Sequence, residues 1–182
     1  RYWMHNGLLT MKGGQKMGKS LGNVINIEDA LQDYPAEAVR LYLLQNHYRS
    51  PLPWSGDALN EALAMLARLY EAIESAESMK GQEKAEDVAK SLGEDAQTVL
   101  TLGTSFQEKM LHFLDEDFNT SGVLGLAFEL ARAINRFASH KKAKKRGGPV
   151  VAKALEGLRT MAPAIGLLGA NVSEFQAEVK SK

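Results

Sequence analysis

The sequence contains no cysteine, which excludes disulfides and thiolate-bound metal and fits a reducing compartment. No apolar run approaches the roughly 18 residues needed to span a bilayer, so no membrane partner is expected. The opening residues, Arg1-Tyr2-Trp3-Met4-His5, lack the pattern of a signal or transit peptide. Charge of either sign is not in excess, because 22 basic and 22 acidic residues cancel. A nucleic-acid partner would therefore have to be held by a local patch rather than by the field of the whole molecule. Walker loops and dinucleotide fingerprints are missing as well. The histidines His5, His47, His112 and His140 have no metal-ligand spacing, and no metal site is expected. What remains is 182 residues of ordinary globular composition, enough for one domain or two small ones with a real core.

The most informative stretch is Lys16-Met17-Gly18-Lys19-Ser20, followed by Leu21-Gly22-Asn23 and preceded by Gly13-Gly14. Small residues let backbone amides approach an anion, and lysine supplies a compact positive charge. The pattern reads as a loop that closes on phosphate, although a solvated Gly/Lys turn fits the bare pattern as well. If Lys16 and Lys19 close on a nucleotide, removing one such group typically costs about 3–4 kcal/mol of transition-state stabilisation. Nothing else in the chain offers a second half for such a site. Of the histidines, only His5, beside Asn6-Gly7, is placed near chemistry. His112 reads as a half-exposed residue, Asp115 and Asp117 as turn carboxylates, and Arg40 as a structural ion-pair partner.

Asn6-Gly7, between Tyr2–His5 and Leu8–Met11, predicts a short hairpin that must lean on other structure. Asn26 is a candidate N-cap for a short helix ending near Tyr34, with Asp29 in its acidic first turn. Pro35 opens a second helix that is apolar around most of its circumference and so is expected to be buried. Residues 47–55 read as a proline-punctuated connection. From Ser55 or Asp57 a long helix carries Leu59, Leu63, Leu66, Tyr70 and Ile73, the period of a bundle seam. Residues 79–93 are charged, with at most one weak helix. A third long helix after Asp95 carries Val99, Leu102, Phe106, Met110 and Phe113. It closes on Asp115-Glu116-Asp117, which is unfavourable at a helix C-terminus unless something relieves it. Thr120 or Ser121 is expected to cap a further helix with Val123, Ala127, Leu130, Ile134 and Phe137. Lys141 to Gly148 is a basic loop that, with Arg132 and Arg136, could meet a phosphate backbone. A last helix starts at Pro149, is kinked or split by Pro163, and ends at Gly169. Residues 170–182 read as a polar tail with little to bury. The fold class is mainly α: an antiparallel helical bundle over 55–169, preceded by a short mixed α/β segment.

In their order and spacing these residues resemble the class I aminoacyl-tRNA synthetases, and among them the cysteinyl-tRNA synthetases. The carrying pieces are Tyr2–Gly7, Lys16–Asn23, Pro35–Leu44, His47–Leu52, and Phe113–Thr120 before a helix ending in Asn135-Arg136. The resemblance implies that Lys16–Ser20 is the family's KMSKS loop, with Lys16, Met17, Gly18, Lys19, Ser20 and His5 around ATP. Lys16 and Lys19 would act in catalysis, Lys19 stabilising the departing pyrophosphate. It implies four parts: the end of a class I catalytic domain (1–22), a stem-contact junction (23–54), a DALR-type bundle (55–169) and the tail (170–182). Contacts to tRNA(Cys) would come from Arg49, Arg136, Lys141, Lys142, Lys144, Lys145 and Arg146. ATP with Mg and cysteine would be the full-length enzyme's other partners, in the cytoplasm. Zinc belongs to the full-length family member, with ligands outside this chain, as do the HIGH signature and a small C-terminal anticodon-binding portion. The chain is thus expected to be a piece of a longer protein and not active alone. Gly18 stands where the signature has its first serine, which loosens the loop by roughly 0.5–1 kcal/mol. A stand-alone tRNA- or protein-binding paralogue, and the ligase joining cysteine to glucosaminyl-inositol in mycothiol synthesis, are the alternatives.

Overall fold

The computed structural model describes residues 3–11, 13–14, 17–18 and 26–182. The first elements are β1 (Leu9–Met11), α1 (Ile27–Asp33), α2 (Ala36–Leu44) and β2 (Leu52–Trp54). β1 and β2 pair in parallel, with Leu9 opposite Leu52 and Met11 opposite Trp54. Parallel strands need a long crossover, and α1 and α2 lie in that connection. The expected hairpin is therefore overturned, and part of the 47–55 connection is a strand. Leu8–Met11 finds its partner beyond α2 instead of across Asn6-Gly7. Gly7 is pressed onto the chain before β2, its N–H donating to the Tyr48 carbonyl at 2.7 Å. A Cβ at Gly7 would lie 2.1 Å from the Ser50 carbonyl oxygen, so no other residue fits without moving backbone. Trp3, Met4 and Leu8 remain exposed beside this small sheet.

α1 begins after Asn26 as expected, but the Asn26 amide donates to Asp29 Oδ2 at 3.5 Å and caps no backbone group. α2 follows Pro35 and buries Ala38, Val39, Leu41 and Tyr42. Leu43 is 42% exposed, so α2 is buried on one side rather than all round. Tyr42 packs edge-on against Trp54 with centroids 5.5 Å apart, and its hydroxyl donates to the Pro53 carbonyl. That contact seats the sheet on α2.

The bundle starts at α3 (Gly56–Glu77), where Ser55 Oγ accepts the Ala58 N–H at 3.2 Å. The expected weak helix is α4 (Ala85–Leu92), and α5 (Glu94–Asp115), α6 (Thr120–Ala138), α7 (Ala143–Arg146) and α8 (Gly148–Arg159) follow. α5 packs chiefly on α8 and α6, while α3 lies against α6 and α2. Val99, Leu102, Phe106 and Met110 of α5 meet Val123, Ala127, Leu130, Ile134 and Phe137 of α6, all buried at the helical period the sequence displays. Gly103 and Gly157 let α5 and α8 approach closely; a Cβ on Gly157 would lie 2.7 Å from Phe106 Cβ. Among the described residues, no helix is long and apolar enough to cross a membrane.

Three boundaries differ from expectation. Asn119 caps α6 through Gly122 N–H at 2.9 Å, which frees the Thr120 hydroxyl to donate to the Leu44 carbonyl at 2.8 Å. The last long helix breaks at Thr160 into α8 and α9 (Met161–Ile165), because Pro163 has no N–H for the Arg159 carbonyl. It then ends at Gly166 (φ +70°), in the left-handed conformation of a C-terminal cap, and not at Gly169. Residues 170–182 are not a polar tail but contain α10 (Val172–Ser181), opened by a reciprocal Asn171–Glu174 capping box. Val172 and Phe175 are buried, and the Phe175 ring stacks on Tyr70 at 4.1 Å and 10°. Part of the basic loop is likewise helical, as α7.

Phe175→Ala should lower stability by about 3 kcal/mol, because a stacked, buried ring is lost from the α3–α10 seam. Urea unfolding followed by circular dichroism measures this, and an unchanged midpoint would show that α10 contributes nothing.

Candidate functional site

Of the Lys16–Ser20 loop, Met17 and Gly18 are described, and both are half-buried, Met17 against the core. Lys16, Lys19 and Ser20 lie outside the described residues. Immediately upstream, Gly13 and Gly14 turn the chain out of β1, with the Gly14 N–H donating to the Met11 carbonyl at 2.9 Å. His5 is exposed and accepts the Trp3 indole N–H at 2.8 Å. Among the described residues its hydrogen bond is to Trp3 in its own segment.

The densest polar contact is at the corner between α5 and α6. Arg49 Nε donates to Asp117 Oδ2 at 2.8 Å and Arg49 Nη2 to Oδ1 at 3.2 Å. Tyr48 Oη donates to the same Oδ1 at 2.7 Å, and His47 Nε2 is 3.7 Å from Oδ2. His47 stacks on Tyr48, Arg49 lies over the Tyr48 ring at 5.0 Å, and Phe118 meets it edge-on. Asp117 and Phe118 hold positive φ, +52° and +56°. Each residue of the Asp117–Thr120 turn thus has a job: Asp117 and Phe118 grip the 47–49 strip, Asn119 caps α6, and Thr120 caps the end of α2. The acidic run at the helix end is relieved by the partner its placement demands. Arg49, read from sequence as a tRNA contact, forks onto this carboxylate with two hydrogen bonds at the surface. Arg49 and Asp117 were not legible as a pair, since they lie 68 positions apart in the chain and only the fold joins them.

A second carboxylate ties α2 to the bundle. Glu37 accepts the Tyr70 hydroxyl at 2.7 Å and the Leu168 N–H, with the Gly169 N–H at 3.4 Å. Burial first, and then Glu37, push the Tyr70 phenol far above its ordinary range. Arg40 likewise reaches across, donating to the Gly166 carbonyl at 3.3 Å, so among the described residues it holds a backbone carbonyl and not the ion pair its sequence suggests.

At the opposite end, Arg146 forks onto Glu83 with 2.7 and 2.6 Å bonds, which hold that carboxyl below its usual range. Arg136 lies 3.6 Å from Asp95, which also holds His140 at 2.7 Å. Lys141, Lys142, Lys144 and Lys145 are exposed and pair with no described carboxylate. These lysines form a local cationic surface on a chain of zero net charge. Among the described residues, no group of three or more His, Cys, Asp or Glu could hold a metal ion.

The Arg49 and Tyr48 hydrogen bonds hold the Asp117 carboxyl at about 2, below its ordinary 3.8. A depressed folded-state value means a contribution fully present above about pH 4 and lost as pH falls through about 2. The stability advantage of the wild type over Asp117→Asn should therefore shrink between pH 4 and 2. Unfolding curves at pH 5, 3 and 2 check this; a constant difference would show that the pair does not titrate.

Residues 1–64 match the family model described as the tRNA synthetases class I (C) catalytic domain, and residues 105–169 match the DALR domain. Curated relatives align across both regions. The chain is 34% identical over 184 residues to the cysteine–tRNA ligase of Geobacter metallireducens, covering 100% of this chain and 36% of the relative. It is 37% identical over 167 residues to that of Thermococcus onnurineus, covering 92% and 34%. It is 40% identical over 167 residues to that of Halorhodospira halophila, covering 92% and 31%. The chain thus spans about a third of the length of the curated relatives it matches. Among solved structures, LeuRS of Agrobacterium radiobacter K84, in a ternary complex with tRNA and LeuAMS, superposes with a TM-score of 0.68. The match covers 96% of this chain and 22% of that one at 22% identity, a likeness of fold. Residues 1–64 thus belong to the class I (C) tRNA synthetase catalytic-domain family and residues 105–169 to the DALR family, with residues 65–104 between the two matches.

Proposed function

We propose that this chain works as part of a cytoplasmic cysteine–tRNA ligase. In that reaction cysteine and ATP give cysteinyl-adenylate and pyrophosphate, and the cysteinyl group then passes to tRNA(Cys) with release of AMP. The observation that carries the proposal is the joining, in one chain, of a class I (C) catalytic match to a DALR match. Cysteine–tRNA ligases align across the whole of that join.

Within this reading, residues 1–22 end the catalytic domain, 23–54 form the junction, and the bundle runs from 55 through α10. Lys16 and Lys19 act on the phosphates of Mg-bound ATP, with Met17, Gly18, Ser20 and His5 around them. Their role is electrostatic: fixed ammonium groups stabilise charge as it develops on the departing pyrophosphate. The zinc implied for the whole protein has no thiolate here to bind it, so its ligands belong to other parts of the ligase. Lys141, Lys142, Lys144 and Lys145 meet the tRNA backbone, since they cluster on one exposed stretch and pair with no described carboxylate. Arg49, Arg136 and Arg146 share their charge between a carboxylate of this chain and RNA phosphate. A patch of this kind gives affinity through counterion release and little sequence preference.

In the whole ligase, Lys19→Ala should slow adenylate formation by about 100-fold or more while cysteine binding changes little. Unchanged ATP–pyrophosphate exchange would refute the loop assignment. Binding of tRNA(Cys) should weaken steeply with salt. Replacing the four lysines by alanine should flatten the log–log slope by about 3. A slope indifferent to those substitutions would move the RNA to another face.

A further inference from the structure

We propose that Asp117 is a positioning residue for the nucleotide loop, acting through the 47–52 strip against which the segment entering that loop is laid. This rests on the reading of Lys16–Ser20 given above. Both Tyr48 and Arg49 end their side chains on the one carboxylate, at 2.7, 2.8 and 3.2 Å. The main chain of the same residues is the floor beneath Gly7. The Tyr48 carbonyl accepts the Gly7 N–H at 2.7 Å, and the Ser50 carbonyl lies so close that a Cβ on Gly7 would meet it at 2.1 Å. From Gly7 the contact continues along β1. Leu52 N–H donates to the Leu8 carbonyl at 3.0 Å, β1 pairs with β2 over Leu9–Met11, and Gly14 N–H closes on Met11.

The strip is also held from its flanks. Phe118 packs edge-on to Tyr48, and Thr120 fixes the last turn of α2 through Leu44. Asp117 itself belongs to the corner from which α6 departs, so it is held by the bundle and not by the sheet. A carboxylate on the helical domain thereby sets where a strand of the catalytic portion lies. Errors of about 1 Å in such placement are enough to cost about 100-fold in rate.

Asp117→Asn is the informative variant, because asparagine also tolerates φ near +52° and keeps an acceptor while removing the charge. In the whole ligase it should lower kcat/KM for ATP in pyrophosphate exchange by about tenfold and leave the KM for cysteine unchanged. Arg49→Lys, which gives up the fork and keeps the charge, should reproduce that pattern. The decisive readout is the combination with Lys19→Ala. If Asp117 acts through the loop, Asp117→Asn adds little further loss in that background. A loss that multiplies through, or wild-type exchange by Asp117→Asn, would overturn the proposal and leave Asp117 a local fastener. Wild-type exchange by Lys19→Ala alone would overturn the loop reading itself, and the positioning role with it.

Discussion

Two strands of three residues, paired in parallel, cannot hold themselves together in water. The described segments before residue 55 are fastened to the helical bundle by the buried face of α2 and by two carboxylates. Glu37 binds α2 to Tyr70 on α3 and to the turn at 168–169. Asp117 binds the strip after α2 to the corner of α5 and α6. The two carboxylates lie on opposite sides of the join: Glu37 reaches from the N-terminal portion into the bundle, and Asp117 reaches back. With Tyr42 packed edge-on against Trp54 between them, α2 becomes the common element of both halves.

This arrangement gives the proposed chemistry a physical frame. A loop that acts by charge alone needs its lysines placed accurately, because Coulombic stabilisation is only useful where the transition-state charge develops. The sheet that leads into the loop has little core of its own, so accuracy must come from the bundle. RNA held on the lysines of α7 and its flanks would bear on the same rigid body of helices. The planar forks of Arg49 and Arg146 hold carboxylates, while the more flexible ammonium groups of Lys141, Lys142, Lys144 and Lys145 are left to solvent.

The helical seams were legible because period 3.6 survives any rearrangement of neighbours: the α5 and α6 stripes read from sequence are buried in the fold, apart from a half-exposed Phe113. The split at Pro163 was legible because a missing N–H acts locally. Misreadings fell where a local signal competed with a distant partner. Asn6-Gly7 carries the strongest short-range turn signal, yet the strand after it pairs with residues 52–54. Thr120 was a sound candidate cap, but Asn119 took that place and left Thr120 for Leu44. The 170–182 segment looked polar because its apolar content is small, while Asn171 and Glu174 already spelled a capping box for α10.

By itself, the sequence determined the helical class, the bundle seams, the glycine–lysine loop and the family those pieces resemble in order. All of these depend on spacing along the chain, which folding does not alter. Tertiary structure alone decided which strand pairs with β1, that Phe175 covers Tyr70, and that Arg49 and Tyr48 converge on Asp117. Those contacts join residues tens of positions apart, and their energies exist only once packing has brought them within hydrogen-bond or van der Waals range.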